Sequence, residues 1–290
     1  MSFFNPFVGE NSSETIDLSG YAKKEDLVGQ KTADGGEIFN NYENNIATTN
    51  AHAEGRKTKA YGNGSHAEGN LTTAGTKTEN DDGTITYGGN YSHAEGYSTK
   101  ALGNYSHAEG GFTTVSGDYS HTEGSNTQAS GNFSHAEGGG TTASGSGSHA
   151  EGFGTKASNN NSHAEGGSTT ASGDSSHAEG TWTTASGGSS HAEGWEAKAL
   201  GNCSHAEGYR TKASSNYQHV QGKFNIEDTE SKFAFIIGNG TSDTARSNAF
   251  AIDWNGLIYT NNNEDGYDLS TFITTDNNVG QKTTNGGEIF

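Results

Sequence analysis

The sequence predicts an all-β protein, a parallel β-roll solenoid built from 14-residue coils. The first observation is a five-residue motif, Ser-His-Ala-Glu-Gly, which occupies residues 134–138 and recurs nearly unchanged along most of the chain. The second is that all 12 histidines lie in copies of this motif. The third is their spacing, which is 14 residues at every step except from His66 to His93, where it is 27. A short fixed period is typical of a solenoid, in which each repeat contacts only its neighbours.

Alternation within each repeat predicts which side chains lie inside a coil. Successive residues of a strand point to opposite faces. Ser134, Ala136 and Gly138 are therefore predicted to lie inside, and His135 and Glu137 outside. Small residues alternate in the second half of the repeat as well, and only small residues fit between two closely spaced walls. A helix would need apolar residues at a period of about 3.6, and the glycine and threonine content disfavours one.

Composition and charge exclude several classes of protein. The 290 residues include 44 Gly, one Pro and 28% hydrophobic residues, which would indicate disorder if the repeat were less regular. The formal net charge of −19 argues against nucleic acid as a partner. Cys203 is the only cysteine, so an intrachain disulfide is impossible. No apolar run reaches membrane-spanning length, and residues 1–20 lack the features of a signal peptide, so no membrane insertion is expected.

The chain outside the repeats is predicted to form further segments. An N-terminal attachment segment is predicted at 1–13 and a connector at 14–50, ahead of the β-roll at 51–222. Residues 28–32 (VGQKT) return as residues 279–283, so 263–290 is predicted to begin a second connector. Apolar strands after Gly222 predict a small β cap at 223–262, because the last coil of a solenoid leaves strand groups unpaired.

An insertion of 13 residues between His66 and His93 predicts a β-hairpin at 75–91. Residues 76–79 and 84–87 alternate on either side of Asp82-Gly83, a dipeptide typical of hairpin turns. The hairpin is expected to project sideways from the roll. It is either a tolerated surface excursion or a contact loop, since loops on rigid scaffolds often carry function.

The repeat, Ala-x-Gly-x-x-Ser-x-Ala-x-Gly at a period of 14, resembles the head repeat of YadA-type trimeric autotransporter adhesins over about residues 51–222. This resemblance implies a left-handed parallel β-roll that assembles as a homotrimer. Residues 218–225 and 237–242 are similar to the segment after such rolls in tail-fibre-like proteins of phages and prophages from Gram-positive bacteria, and residues 18–24 resemble their connectors. The resemblance thus implies contacts with other tail or baseplate proteins and with a bacterial surface.

The family usually has apolar residues, facing the trimer interior, where this chain has His and Glu. By the resemblance, these positions form a trimer-interface ladder. Like charges one coil apart would cost roughly 3 kcal/mol per contact at ~5 Å and an effective dielectric of about 20. Each His is therefore predicted to pair with a Glu, most plausibly of a neighbouring chain, which would raise the His pKa and lower the Glu pKa. The ladder comprises His52, His66, His93, His107, His121, His135, His149, His163, His177, His191, His205 and His219, with Glu54, Glu68, Glu95, Glu109, Glu123, Glu137, Glu151, Glu165, Glu179, Glu193 and Glu207.

Three chemical interpretations compete for these rows. A Ser-His-Glu triad needs the three side chains together, but alternation points Ser134 into the coil and His135 out of it. No catalytic residue and no enzymatic activity are therefore predicted. His and Glu are suitable zinc or nickel ligands, yet metal sites are usually few, whereas these rows run the whole length of the roll. A hydrogen-bonded His/Glu interface is preferred, with no metal and no cofactor.

Aromatic residues cluster at the variable corners of the coils, and two interpretations fit them. Stacked ladders would stabilise neighbouring coils, whereas exposed platforms would bind a glycan ring or a protein receptor. The residues predicted for receptor contact are Trp182, Trp195, Phe153, Tyr209 and Tyr87.

These observations predict a homotrimeric structural protein, a phage or tailocin tail-fibre component that attaches to a glycan or protein receptor on a bacterial surface. Such a protein would be assembled in the host cytoplasm and carried in the phage tail. A trimeric adhesin on the bacterial cell surface is the first alternative, and a His/Glu metal-binding protein is the second.

Overall fold

The computed structural model describes residues 30–32, 35–42 and 45–260, and it has the predicted fold class. The described chain is all-β, without a helix, and forms a parallel solenoid of about 14 turns. The predicted attachment segment 1–13, the second connector 263–290 and residues 14–29 of the first connector lie outside the described residues.

One wall of the solenoid is the histidine sheet, which carries the Ser-His-Ala-Glu-Gly motifs. Its strands pair in parallel and in register, so that His121 lies beside His135 and Glu123 beside Glu137. The parallel strands of the histidine sheet are Glu37–Tyr42, His52–Arg56, His66–Asn70, His93–Tyr97, His107–Ala108, His121–Ser125, His135–Gly139, His149–Phe153, His163–Gly167, His177–Thr181, His191–Trp195, His205–Tyr209, His219–Lys223 and Phe233–Asn239.

The opposite wall is a second parallel sheet of two-residue strands, the short-strand sheet. Each strand ends in a small buried residue that faces the histidine sheet, such as Ala143 opposite Ala136. Its strands are Ile46–Ala47, Lys59–Ala60, Thr73–Ala74, Lys100–Ala101, Thr114–Val115, Gln128–Ala129, Thr142–Ala143, Lys156–Ala157, Thr170–Ala171, Thr184–Ala185, Lys198–Ala199 and Lys212–Ala213.

The interior between the two walls consists of small side chains, as the alternation predicts. Ala136 and Thr141 are fully buried, and Ser134 is 2% exposed. The Ser134 hydroxyl donates a 2.6 Å hydrogen bond to the Gly131 carbonyl, which closes the corner of the coil. The prediction for Gly138 was wrong: this residue is exposed, because its φ of +100° turns the chain at the end of the strand. The alternation of buried and outward-facing residues therefore breaks at Gly138, one residue before the strand ends at Gly139.

The corners hold non-glycine residues in the left-handed backbone region. Phe133 has a φ of 58° and Trp182 a φ of 55°, a conformation that costs about 1–2 kcal/mol for an L-residue. Their backbone N–H groups compensate by donating to the preceding coil, Phe133 to the Asp118 carbonyl and Trp182 to the Gly167 carbonyl, both at 2.9 Å. Each coil is thus tied to its neighbour at the corners as well as along the walls.

The parallel ladder extends one strand beyond each end of the predicted 51–222 range. Glu37–Tyr42 pairs with His52–Arg56 at the start, and Phe233–Asn239 pairs with His219–Lys223 at the end. The histidine sheet then continues with two antiparallel strands, Asn248–Asp253 and Ile258–Thr260. At its other end Gln30–Lys31 pairs antiparallel with Glu37–Tyr42.

The predicted insertion forms a hairpin of two strands, Thr76–Glu79 and Ile85–Gly88. Asp82 organises its turn, because its carboxylate accepts hydrogen bonds from the Thr84 N–H at 2.9 Å and the Thr84 hydroxyl at 2.6 Å. The hairpin rests on the roll through Tyr87, whose ring lies 6.1 Å from that of Tyr61. Because its strands are mostly exposed and form a separate two-stranded sheet, the hairpin projects from the solenoid and is not one of its coils.

We expect a protein lacking residues 76–88 to fold as the full chain does. The deletion removes 13 residues, joins Gly75 to Gly89 and restores the 14-residue spacing. Because it removes mainly the Tyr61–Tyr87 contact, the melting temperature should change by only a few degrees. Circular dichroism melts measure this. A matched deletion of residues 137–149 joins Ala136 to Ala150 inside a strand, which places Glu151 on the buried face and should destabilise the protein strongly; equal effects of the two deletions would contradict this description of the hairpin.

Candidate functional site

The most regular surface feature is a row of histidine rings on the outer face of the histidine sheet. Successive ring centroids lie 4.6–4.9 Å apart from His52 to His219. From His66 to His205 neighbouring rings are parallel to within 11°. The parallel in-register pairing imposes this stack, because each coil places its histidine directly above the last.

A parallel row of glutamates runs beside the histidines, and the two rows contact each other within one chain. The Nε2 atom of His135 lies 3.8 Å from Oε2 of Glu137 in the same strand. His177 lies between two carboxylates, with its Nε2 atom 3.9 Å from both Glu165 and Glu179. These distances exceed a hydrogen bond. His177 therefore has carboxylate neighbours both in its own strand and in the preceding coil.

The expectation that pairing raises the histidine pKa was wrong for the single chain. Burial lowers the pKa of six of these imidazoles, and the neighbouring imidazoles lower it further, while the glutamates only partly offset both effects. Removing an imidazolium from water and stacking it against another destabilises the charged form. The six histidines with a lowered pKa are His66, His93, His121, His135, His163 and His205.

Neighbouring glutamates around Glu109 hydrogen-bond to one another, which shifts their pKa values. Hydrogen bonding to Glu109, and secondarily to Glu68, raises the pKa of Glu95 to about 7. Hydrogen bonding to Glu109, and secondarily to Glu137, raises the pKa of Glu123 to about 7. Hydrogen bonds from Glu123 and Glu95 hold the pKa of Glu109 below its usual range. A lowered Glu pKa was thus predicted correctly for Glu109, but the cause is a neighbouring carboxyl. For Glu95 and Glu123 the prediction was wrong, because stacked carboxylates repel unless alternate members keep a proton.

Replacing neighbouring glutamates should affect stability differently. Glu123, with a raised pKa, stabilises the fold below about pH 4.5 and loses that contribution as the pH rises through about 7. Glu109, with a lowered pKa, contributes above its unfolded pKa and loses this as the pH falls. At pH 5, where Glu95 and Glu123 keep their protons, we expect Glu109→Gln to lower the melting temperature by a few degrees, because it removes the carboxylate that accepts from both, and Glu123→Gln to change it little.

Thermal melts at pH 5 and pH 8 test this pair of substitutions. The histidine contribution is common to both variants and cancels in their difference. At pH 8, above the pKa of about 7 of Glu123, Glu123→Gln should raise the melting temperature, because it removes one of the carboxylates that then repel each other. Equal shifts by the two variants at pH 5 would contradict the alternating protonation of Glu95, Glu109 and Glu123.

The structure separates serine from histidine as predicted. Ser134 is buried and bonded to Gly131, on the opposite side of the strand from His135. The histidines and glutamates instead form clusters of two imidazoles and one carboxylate whose ligand atoms lie within 4.8 Å of one another. One such cluster is His135, Glu137 and His149, and another is His163, Glu165 and His177. This chemistry suits ion binding rather than nucleophilic attack.

The structure brings three of the five predicted contact residues together. Trp182 and Trp195 meet edge to face with ring centroids 4.6 Å apart, and Trp195 stacks on Tyr209 at 6.5 Å. Phe153 lies apart, three coils from Trp195, and is the most exposed of the group at 73%. Tyr87 belongs to the hairpin, where it stacks on the roll. Trp182, Trp195 and Tyr209 therefore form one cluster, and the other two lie outside it.

Sequence reasoning missed the charged residues that border this cluster. Phe224 extends it, with its ring 5.2 Å from Tyr209. Arg210 lies over both rings and donates to Glu196 at 2.8 Å and to Asp243 at 2.6 Å. Asp243 follows Phe233–Asn239, far along the chain, so only the pairing of that strand with His219–Lys223 brings it here. A repeat pattern alone contains no indication of that contact.

The aromatic residues at the other corner form a stacked ladder. Tyr91, Tyr105, Tyr119 and Phe133 occupy successive coils with centroids 4.9–5.3 Å apart and planes within 15°. Stacking of this kind is the geometry expected if these corner aromatics stabilise neighbouring coils. All four side chains remain more than half exposed.

An apolar surface continues the histidine face at the end of the roll. His219 pairs with Phe235 and Gln221 with Ile237, so these side chains share one face of the sheet. The antiparallel strands add Phe250 beside Ile237, and Ile252 beside Phe235. We call the five half-buried residues Phe235, Ile237, Phe250, Ile252 and Ile258 the terminal apolar face. The outer face of one sheet is thus polar along the roll and apolar at its end.

Comparison of the chain with protein-family models and with curated proteins found no match. The resemblance to YadA-type head repeats therefore rests on the residues of the repeat. In the part of the chain that the structure describes, no helix has the length and apolar character needed to cross a membrane.

Proposed function

We propose that the protein is a homotrimeric fibre component, of the phage or tailocin tail-fibre type, that attaches to a bacterial surface. The coil sense would be left-handed, as the resemblance implies. Three rolls would pack around a common axis through the histidine sheets, and the exposed corners would face outward.

The single observation that supports this best is the continuity of the histidine row with the terminal apolar face. Five large apolar side chains are left half-exposed together at the end of a sheet face that is polar along the roll. Contiguous apolar surface at the end of a polar face favours a buried interface. A second and third copy of the same chain are the simplest partners, because an identical repeat offers a matching partner at every coil.

The corner cluster of Trp182, Trp195 and Tyr209 supports the attachment part of the proposal. Trp, Tyr and Arg are the residues most enriched where binding energy concentrates, and Arg210 lies beside the aromatic rings. Each of the three aromatic side chains is 39–49% exposed. Their corner lies at the ends of strands of the histidine sheet, beyond the histidine row, so trimer packing through that row would leave them accessible.

Binding of the labelled full chain to a panel of Gram-positive bacterial cells tests this proposal. We expect the wild type to bind a subset of strains, and Trp195→Ala to weaken that binding at least tenfold. Tyr119→Ala, which removes an exposed aromatic from the other corner, is the matched control and should bind normally. Failure to bind any strain, or equal binding by the two variants, would contradict the assigned attachment surface.

A further inference from the structure

We propose that the histidine–glutamate row binds divalent transition-metal ions of the zinc and nickel class, each held by two histidines and one glutamate from adjacent coils. This inference goes beyond the fibre function. All protein ligands of each ion come from one chain, so it does not depend on the trimer.

The distances in the row suit such an ion after small side-chain movements. Zinc binds imidazole nitrogen at about 2.0–2.1 Å and carboxylate oxygen at about 2.0–2.2 Å, which places tetrahedral ligand atoms about 3.4 Å apart. The His135 nitrogen and the Glu137 oxygen lie 3.8 Å apart, and those of His52 and Glu54 lie 3.5 Å apart. Closing this gap takes a few tenths of an ångström, well within the freedom of half-exposed side chains.

Two histidines of adjacent coils must tilt toward each other to share one ion. Their ring centroids lie 4.9 Å apart between His135 and His149, whereas two nitrogens on opposite sides of one ion are at most about 4.1 Å apart. Rotation about the terminal torsion of histidine is soft. The carboxylate between the rings supplies the third ligand, and water would complete the coordination.

The histidine nitrogens are available for an ion. The Nε2 atoms of His135, His149 and His163 are buried from solvent and have no hydrogen-bond partner within the described residues. An unpartnered buried acceptor beside a carboxylate is a preformed half-site, and an ion would satisfy both groups at once.

The number of repeats limits how many ions one chain can bind. Each ion uses two histidines, so the 12 histidines of the chain allow at most six ions. Ions in alternate coils also keep neighbouring charges roughly twice 4.8 Å apart. Three clusters that share no residue are centred on Glu137, Glu165 and Glu193. At the end of the row Gln221 stands where the other repeats have Glu, which shows that this position accepts an amide.

Calorimetric titration of the EDTA-treated full chain with Zn²⁺ tests the inference. We expect several ions per chain with micromolar or tighter affinity, and a pink-to-blue absorption of tetrahedral type when Co²⁺ replaces Zn²⁺. The triple variant E137Q/E165Q/E193Q keeps side-chain shape and should bind about three fewer Zn²⁺ ions. The control variant E79Q/E230Q removes glutamates outside the row and should bind as the wild type does.

Three results would overturn the inference. The first is no Zn²⁺ uptake at micromolar concentration. The second is equal uptake by the triple variant and the control. The third is comparable binding of Mg²⁺, which prefers oxygen ligands and would indicate attraction to carboxylates alone. Melting curves recorded in EDTA verify that each variant is folded before titration.

Discussion

Replacing Gly152 by alanine should destabilise the protein by at least ~3 kcal/mol and lower its melting temperature by roughly 10 °C. Gly152 is the penultimate residue of the strand His149–Phe153 and has a φ of +102°, a conformation that strains any L-residue. An added Cβ would lie 2.2 Å from the Gly166 carbonyl oxygen in the next coil. That oxygen belongs to the backbone ladder and cannot move without separating the coils. The backbone strain and the steric overlap therefore both contribute to the loss of stability.

Gly167→Ala is the matched control for this substitution. Gly167 lies in the adjacent coil, its φ is outside the left-handed region, and its nearest neighbour would be the Thr181 methyl at 3.8 Å. An ordinary van der Waals contact should leave the melting temperature within a few degrees of the wild type. Thermal melts at one fixed protein concentration compare the two variants, and similar losses would show that close stacking at this corner is not the constraint.

Phe235→Asp should disrupt the proposed assembly. Phe235 lies in the middle of the terminal apolar face, with its ring 5.2 Å from His219 and 6.4 Å from Phe250. A carboxylate buried there between chains would be desolvated without a partner, a change that typically costs several kcal/mol. We expect the assembly to melt at least ~10 °C lower and its melting temperature to depend more steeply on protein concentration.

Trp254→Asp controls for the introduction of a charge near this end of the chain. Trp254 is 51% exposed and lies in the turn between the strands Asn248–Asp253 and Ile258–Thr260. Replacing Trp254 should change neither the mass of the assembly nor its melting temperature appreciably. If Phe235→Asp behaved like Trp254→Asp, the terminal apolar face would face water in the native protein.

The coil itself could be predicted from the sequence because its physics is local. A strict period of 14 and an alternation of small with polar residues determine which side chains are inside, and Ala136 and His135 lie where the alternation places them. The hairpin could be predicted for the same reason, since Asp82 and Gly83 form its turn within a few residues. The end of the alternation at Gly138 could not, because it depends on a left-handed φ that the motif does not reveal.

Features that depend on contacts between coils were harder to predict. The rows were expected to be governed by His–Glu attraction, but a ring such as His135 also stacks on two other rings, and burial favours its neutral form. The terminal apolar face also escaped prediction. The step from His219 to Phe235 is 16 residues, so the 14-residue period alone would not place Phe235 in the histidine row.

Sedimentation equilibrium of the full chain at micromolar concentration tests the central claim most directly. Coils filled with Ala, Ser, Thr and Gly bury little apolar area, and this burial does not offset the ~1–2 kcal/mol of backbone entropy lost per residue. Other copies that cover the histidine face, as proposed above, would supply the missing stabilisation. We expect a folded species of three times the 30.2 kDa chain mass. A folded species with the mass of one chain would contradict the account.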